Sequence, residues 1–194
     1  MAGPPGKRIG GAGGNRGVDI VSESAETIIT DELRRCVGRK GPVRTLGTLS
    51  ASDVRRYVDA TGDVNPLWLD DDFARSAGYK GRLLPPILVG WTPFSIKEPE
   101  EGRGSTFDVR RHLPVPAAYT NVRNAGSETE WLKPVYLGEE LSCQSHIVDI
   151  TAREGRMGVG IYVTQLEEVR NAENELVFTR RHTVALFREQ QTRE

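Results

Sequence analysis

The sequence is short of the residues that staple small folds together. Its 194 residues include two cysteines and three histidines. Cys36 and Cys143 lie far apart, without a CxxC or Cys/His ligand spacing. A disulfide scaffold or zinc knuckle is therefore not expected, no metal site is predicted, and a reducing cytoplasm is the expected home. An excess of one charge is missing too. The 26 Lys+Arg residues against 27 Asp+Glu leave a formal net charge of −1, so no overall field draws the chain to nucleic acid or an anionic membrane. No apolar run approaches the ~20 residues that span a bilayer, and mean hydropathy is −0.45. The basic residues near the N-terminus are not followed by an apolar stretch, so no secretory signal is expected. These absences leave a soluble chain long enough for one well-packed domain.

What is present changes character along the chain. The first 17 residues hold seven glycines and two prolines. Burial cannot repay the ordering entropy of such a segment, so residues 1–22 are expected to be a disordered tail and 23–190 the folded domain. The tail's few positive charges are too sparse for a nucleic-acid arm. From Ser24 the apolar residues Ile28, Ile29, Leu33, Cys36 and Val37 fall on one helical face, with Gly38 and Gly41-Pro42 as the stop. A second helix is predicted over Ser50–Thr61, with Ser50 as N-cap, Asp53 completing a capping box and Gly62 ending it. A third is predicted over Asp70–Ala77. The window Leu83–Phe94 is the most apolar, opening with Pro85-Pro86, which suit a first helical turn. The Gly/Pro/Arg-rich stretch 97–127 reads as a long loop with one strand. Then the period becomes two over Glu140–Ile150, Met157–Val169 and Leu176–Phe187, an antiparallel meander.

The most informative segment is Tyr57-Val-Asp-Ala-Thr-Gly-Asp-Val-Asn-Pro-Leu-Trp-Leu-Asp70. It resembles the signature of the MaoC-like hydratase/dehydratase family, (Tyr/Phe)-x-x-x-Thr-Gly-Asp-x-Asn-Pro-x-His-x-Asp, followed by an Ala-x-x-x-Gly helix end. Tyr57, Thr61, Gly62, Asp63, Asn65, Pro66, Asp70, Ala74 and Gly78 match it without a gap. Leu83–Thr92 resembles the central helix of that family, and Glu130–Leu141 its (R/K)PVxxGDxL element. Gly38–Pro42 is similar to the entry of the N-terminal, fatty-acid-synthase-type dehydratase half. The resemblance runs from about Glu32 to Phe187. It implies an α+β hot-dog fold, an antiparallel sheet wrapped around a central helix, here with extra N-terminal helices.

It also implies a chemistry, and the sequence departs from it. Hydration of a 2-enoyl thioester needs water held between a carboxylate and an imidazole, and N–H donors aimed at the thioester oxygen. Family members take the first from the Asp and His of the motif and the second from a glycine opening the central helix. Here Asp63 keeps the carboxylate and Asn65 its neighbour, but Trp68 stands at the histidine position. Pro86, which has no N–H, aligns with the glycine. Asp63 therefore reads either as the catalytic acid or as a turn cap. Tyr57, Trp68, Pro86, Ile87 and Trp91 are the expected wall of an acyl-binding tunnel, with Trp68 and Trp91 equally readable as core. His146 and His182 read as structural strand residues, and His112 as an outside candidate for an acid/base. Arg110-Arg111 and Arg180-Arg181 read as surface pairs that solvate a loop or strand, or meet phosphates of CoA or a carrier arm. The resemblance thus points to the non-catalytic subunit of an R-specific 2-enoyl-CoA hydratase or 3-hydroxyacyl-thioester dehydratase. A second MaoC-like hot-dog subunit would bring the Asp/His pair. The alternatives are a self-sufficient homodimeric hydratase or thioesterase, using Asp63 with His112, and a thioester-binding module without activity. No cofactor beyond the acyl-CoA or acyl-carrier substrate is expected.

Overall fold

A computed structural model of the protein describes residues 25–90 and 113–188. The expected tail at 1–22 lies outside them, as do Trp91, Arg110, Arg111 and His112. The sheet follows from the two-residue period. Strands β3 (Glu140–Gly155), β4 (Gly158–Asn171) and β5 (Leu176–Phe187) form the expected meander, each antiparallel to the next. β3 runs beyond its predicted end because Thr151–Gly155 pairs with Gly158–Tyr162 across the turn, and β4 runs past Val169 because Arg170 and Asn171 pair with Ser142 and Leu141.

Two edge strands complete the sheet: β1 (Arg44–Thr48) pairs with β3 and β2 (Asn121–Trp131) with β5, in the order β1-β3-β4-β5-β2. Neither alternates cleanly in sequence. β2 is exposed along almost its whole length, so no buried face imprints a period on it. The loop expected over 97–127 therefore ends at Asn121, and its 97–112 portion lies outside the described residues. Between Asn124 and Gly126 the register slips by one residue. Gly126 takes a φ of +128°, open to glycine alone, and its N–H donates to Asn124 Oδ1 at 2.8 Å. This bulge sets Trp131, Thr129, Ser127, Asn124 and Val122 opposite Phe178, Arg180, His182, Val184 and Leu186 of β5.

The predicted N-terminal helix is two separate turns, α1 (Ala25–Ile28) and α2 (Asp31–Arg34). Thr30 breaks it: it is extended and its hydroxyl caps α2 by accepting from Leu33 N–H. The break lets Ile28 and Ile29 both bury. Helix α3 (Ala51–Thr61) carries the predicted capping box, with Ser50 N–H donating to the Asp53 carboxylate at 2.8 Å, and ends on left-handed Gly62. Two turns follow, α4 (Pro66–Leu69) and α5 (Asp71–Ser76), then α6 (Pro86–Gly90) against the sheet. No helix among the described residues is long and apolar enough to cross a membrane.

The core is split in two. One cluster joins Ile28, Ile29, Leu33 and Cys36 to Ile147, Ile161, Val163 and Leu186 of the sheet. The other joins Val54, Leu84 and Val89 to Leu141, Cys143, Val169 and Phe178. Cys36 and Cys143 thus sit in different clusters and form no disulfide. Between the clusters runs a buried polar band, Ser145, Gln165, Glu167 and Arg180, in which Ser145 faces Glu167 and Glu167 faces Arg180 across neighbouring strands.

Candidate functional site

The corner between α3 and α4 is built by short-range hydrogen bonds. Gly62 turns the chain out of the helix, and Thr61 Oγ1 accepts from Asp63 N–H at 3.3 Å. Asn65 caps α4, its Oδ1 accepting from Leu67 N–H at 3.0 Å, with Pro66 in the first turn. Asp63 is the hub. Its Oδ2 accepts from the Tyr57 hydroxyl at 3.0 Å and from Trp68 Nε1 at 3.1 Å, while Oδ1 accepts from Asn65 N–H at 3.4 Å. Neither side-chain partner exchanges protons near neutral pH. Indole only donates. Burial, then the hydrogen bond to Asp63 and its charge, push the Tyr57 phenol above its ordinary value.

Beyond the corner the chain is held by α4 and by the connection between β2 and β3 as it enters α6. Leu83 N–H donates to Leu67 O at 3.0 Å and Leu84 N–H to Val135 O at 2.8 Å. The far end of α6 is clamped by Arg180, whose Nη1 donates to Gly90 O at 2.6 Å and whose Nε donates to Glu167 Oε2 at 2.7 Å. Its Nη2 reaches the same carboxylate oxygen. Arg180 is 6% exposed and Glu167 1%, so guanidinium and carboxylate are neutralised inside the fold. Two cavities flank α6. One, of about 330 Å³, is walled by Trp68, Tyr79, Leu84, Val89 and Val135. The other, of about 700 Å³, lies under β2 and is walled by Ile87, Val122, Ser127, Thr129, His182 and Val184 among others. Pro86 and Trp131 stand in the wall of both.

The family model for the FAS1-like dehydratase domain region matches residues 37–180. The chain belongs to this family. It is similar to a probable enoyl-CoA hydratase alpha subunit from Thermomonospora curvata, 28% identical over 167 residues, which cover 82% of this chain and 52% of that protein. The chain thus spans about half the length of that relative. Among solved structures it is similar to a chain of the ChsH1-ChsH2 complex from Mycobacterium tuberculosis, with a TM-score of 0.67 and 21% identity over 79% of this chain and 86% of that one. It is also similar to the MaoC-like dehydratase from Rhodospirillum rubrum, with a TM-score of 0.57 and 20% identity over 80% and 94%. The fold is the α+β hot dog that the motif resemblance implies.

Within this FAS1-like dehydratase region, the structure brings Tyr57, Asp63, Asn65 and Trp68 into one corner. Pro86 opens α6 without an N–H, and Ile87, 64% exposed, faces the larger cavity. Trp91 lies outside the described residues, as does His112, on which the self-sufficient reading depended. His146 is on the sheet's other face, its Nε2 3.4 Å from Glu168 Oε2. Arg180 corrects the surface-pair reading, since it is buried against Glu167 while Arg181 is exposed. Several residues of the cavity walls were not singled out for this place, among them Asn124, Ser127, Thr129, Trp131 and His182. Burial lowers the His182 imidazole below its ordinary value, with Glu167 opposing and Arg180 assisting. The alternation Phe178, Arg180, His182, Val184, Leu186 could have revealed the β5 wall. The β2 residues could not have been found, because the bulge resets which of them face inward.

Proposed function

We propose that this chain is the tunnel-forming subunit of an R-specific 2-enoyl-thioester hydratase or 3-hydroxyacyl-thioester dehydratase, and that a second MaoC-like hot-dog subunit supplies the Asp/His pair. The observation that carries this is the Trp68 indole on Asp63. A carboxylate occupied by an indole and a phenol has no imidazole with which to pass a proton through water. The proline opening α6 removes an amide where an enolate oxygen would need one. What remains suits holding a substrate: two cavities around Pro86 and Trp131, the larger beside an exposed edge strand. Tyr57, Trp68, Pro86, Ile87 and Trp91 would shape the acyl path, with Asp63 and Asn65 fixing the corner. Among the described residues β2 is an edge strand, and such an edge is where a second sheet can add. The alpha-subunit relative and the two-protein complex among the structural neighbours support the same division of labour. Hydration by this route uses water and the thioester, attached to CoA or a carrier, and calls on no cofactor.

The test is the hydration of a trans-2-enoyl-CoA by the purified full chain, alone and then mixed with a MaoC-like subunit that carries an intact Asp-x-Asn-Pro-x-His motif. The expected result is no turnover alone and turnover on mixing. Turnover by the chain alone, undiminished by removal of any such partner, would overturn the reading.

A further inference from the structure

The larger cavity is not a plain hydrocarbon slot. Much of its lining is apolar, from Pro86, Ile87, Val122, Trp131 and Val184, but Asn124, Ser127 and Thr129 add a row of polar groups along β2. Ser127 faces His182 and Thr129 faces Arg180 across the β2–β5 ladder, and the bulge at Gly126 turns Asn124 to the same face. Without that extra residue the strand's parity would send Asn124 to the other side. The bulge thus extends the polar row by one position. Its hydrogen bond to Gly126 N–H uses Asn124 Oδ1, leaving the amide nitrogen to donate. Among the described residues, the Ser127 and Thr129 hydroxyls have no side-chain hydrogen-bond partner.

The charge of the cavity narrows what these donors can meet. Among the described residues its one guanidinium, that of Arg180, is already shared between the Glu167 carboxylate and the Gly90 carbonyl. Among the described residues no uncompensated cation lines the cavity to hold a carboxylate or phosphate, and the groups they offer match a neutral acceptor oxygen. Apolar walls with a few convergent polar groups are the usual form of a site for a largely hydrocarbon ligand held in one orientation. We infer that the cavity beneath β2 receives an acyl group carrying a neutral oxygen, a keto or hydroxyl group along its hydrocarbon, and that Asn124, Ser127 and Thr129 recognise it. This rests on the tunnel-forming role proposed above and names its substrate class.

Isothermal titration of the full chain with dodecanoyl-CoA and with a ladder of oxododecanoyl-CoA isomers, the oxo group walked along the chain, tests it. One isomer is expected to bind about tenfold more tightly than the unsubstituted thioester, the worth of roughly one net hydrogen bond. In the Ser127→Ala/Thr129→Val double variant the ratio should fall to near one, and Thr129→Val alone should take a partial share. Equal binding of every thioester by the wild-type chain would overturn the inference and leave the hydratase reading standing. A preference that survives both variants would overturn the assignment to these hydroxyls. Binding of no thioester at all would overturn the inference together with the tunnel reading on which it rests.

Discussion

Two carboxylates in this fold meet opposite fates. Asp63 sits in a half-buried corner and is held by neutral donors, a phenol and an indole, from residues six and five positions away. Glu167 is buried in the sheet and is held by a guanidinium from a different strand, which also reaches the Gly90 carbonyl at a sequence separation of 90. The first arrangement shapes a local turn. The second ties the end of α6 to the middle of the sheet, and sits between the two apolar clusters. A partly hydrated carboxylate can be satisfied by neutral hydrogen bonds, whereas one removed from water needs an opposite charge and several donors to be tolerated. The corner is therefore adjustable and the clamp is not.

The difference can be broken most forcefully at Arg180. Arg180→Ala would leave Glu167 buried without its counter-ion, and is expected to lower unfolding stability by about 3–5 kcal/mol, read from the urea midpoint. Loss of a few tenths only would show that water reaches the carboxylate and that the clamp resembles the corner. Asp63→Ala removes the acceptor of the Tyr57 and Trp68 donors, both only half-buried, and should cost about 1 kcal/mol in the same measurement. A cost equal to that of Arg180→Ala would erase the contrast. The smallest effect concerns His182, which lies between these extremes. Burial holds the folded imidazole below its ordinary 6.5, so the unfolded chain takes up its proton first as the pH falls. The stability contributed by the neutral ring is complete above about pH 6.5 and is lost as the pH drops through the folded value. His182→Gln should flatten that part of the profile of urea midpoint against pH, and an unchanged slope would place the titration elsewhere.

The same contrast explains what could be foreseen from the residues. The corner was legible because its partners are close in sequence: Ser50 with Asp53, Gly62 after the helix, Asn65 before Pro66, and the motif that ties Tyr57 to Asp63. The meander was legible because burial on one face writes a two-residue period into β3, β4 and β5. Arg180 was misjudged because nothing near it in sequence announces Glu167 or Gly90; only the antiparallel register brings them together. The single helix expected from Ser24 divided at Thr30, since a threonine can cap as readily as it can continue a helix. β1 and β2, at the edges, carry too little burial for any period to show.

The one-residue slip in β2 has a further effect on the outside of the molecule. A straight, eleven-residue rim with open N–H and C=O groups would be a template on which any extended chain could zip, a route to uncontrolled aggregation. The kink at Asn124–Gly126 interrupts that template, so a regular strand matches one side of it or the other but not both. Only a mate whose own contour carries a compensating irregularity can seal the whole rim, which turns a hazard of the architecture into a lock with few keys.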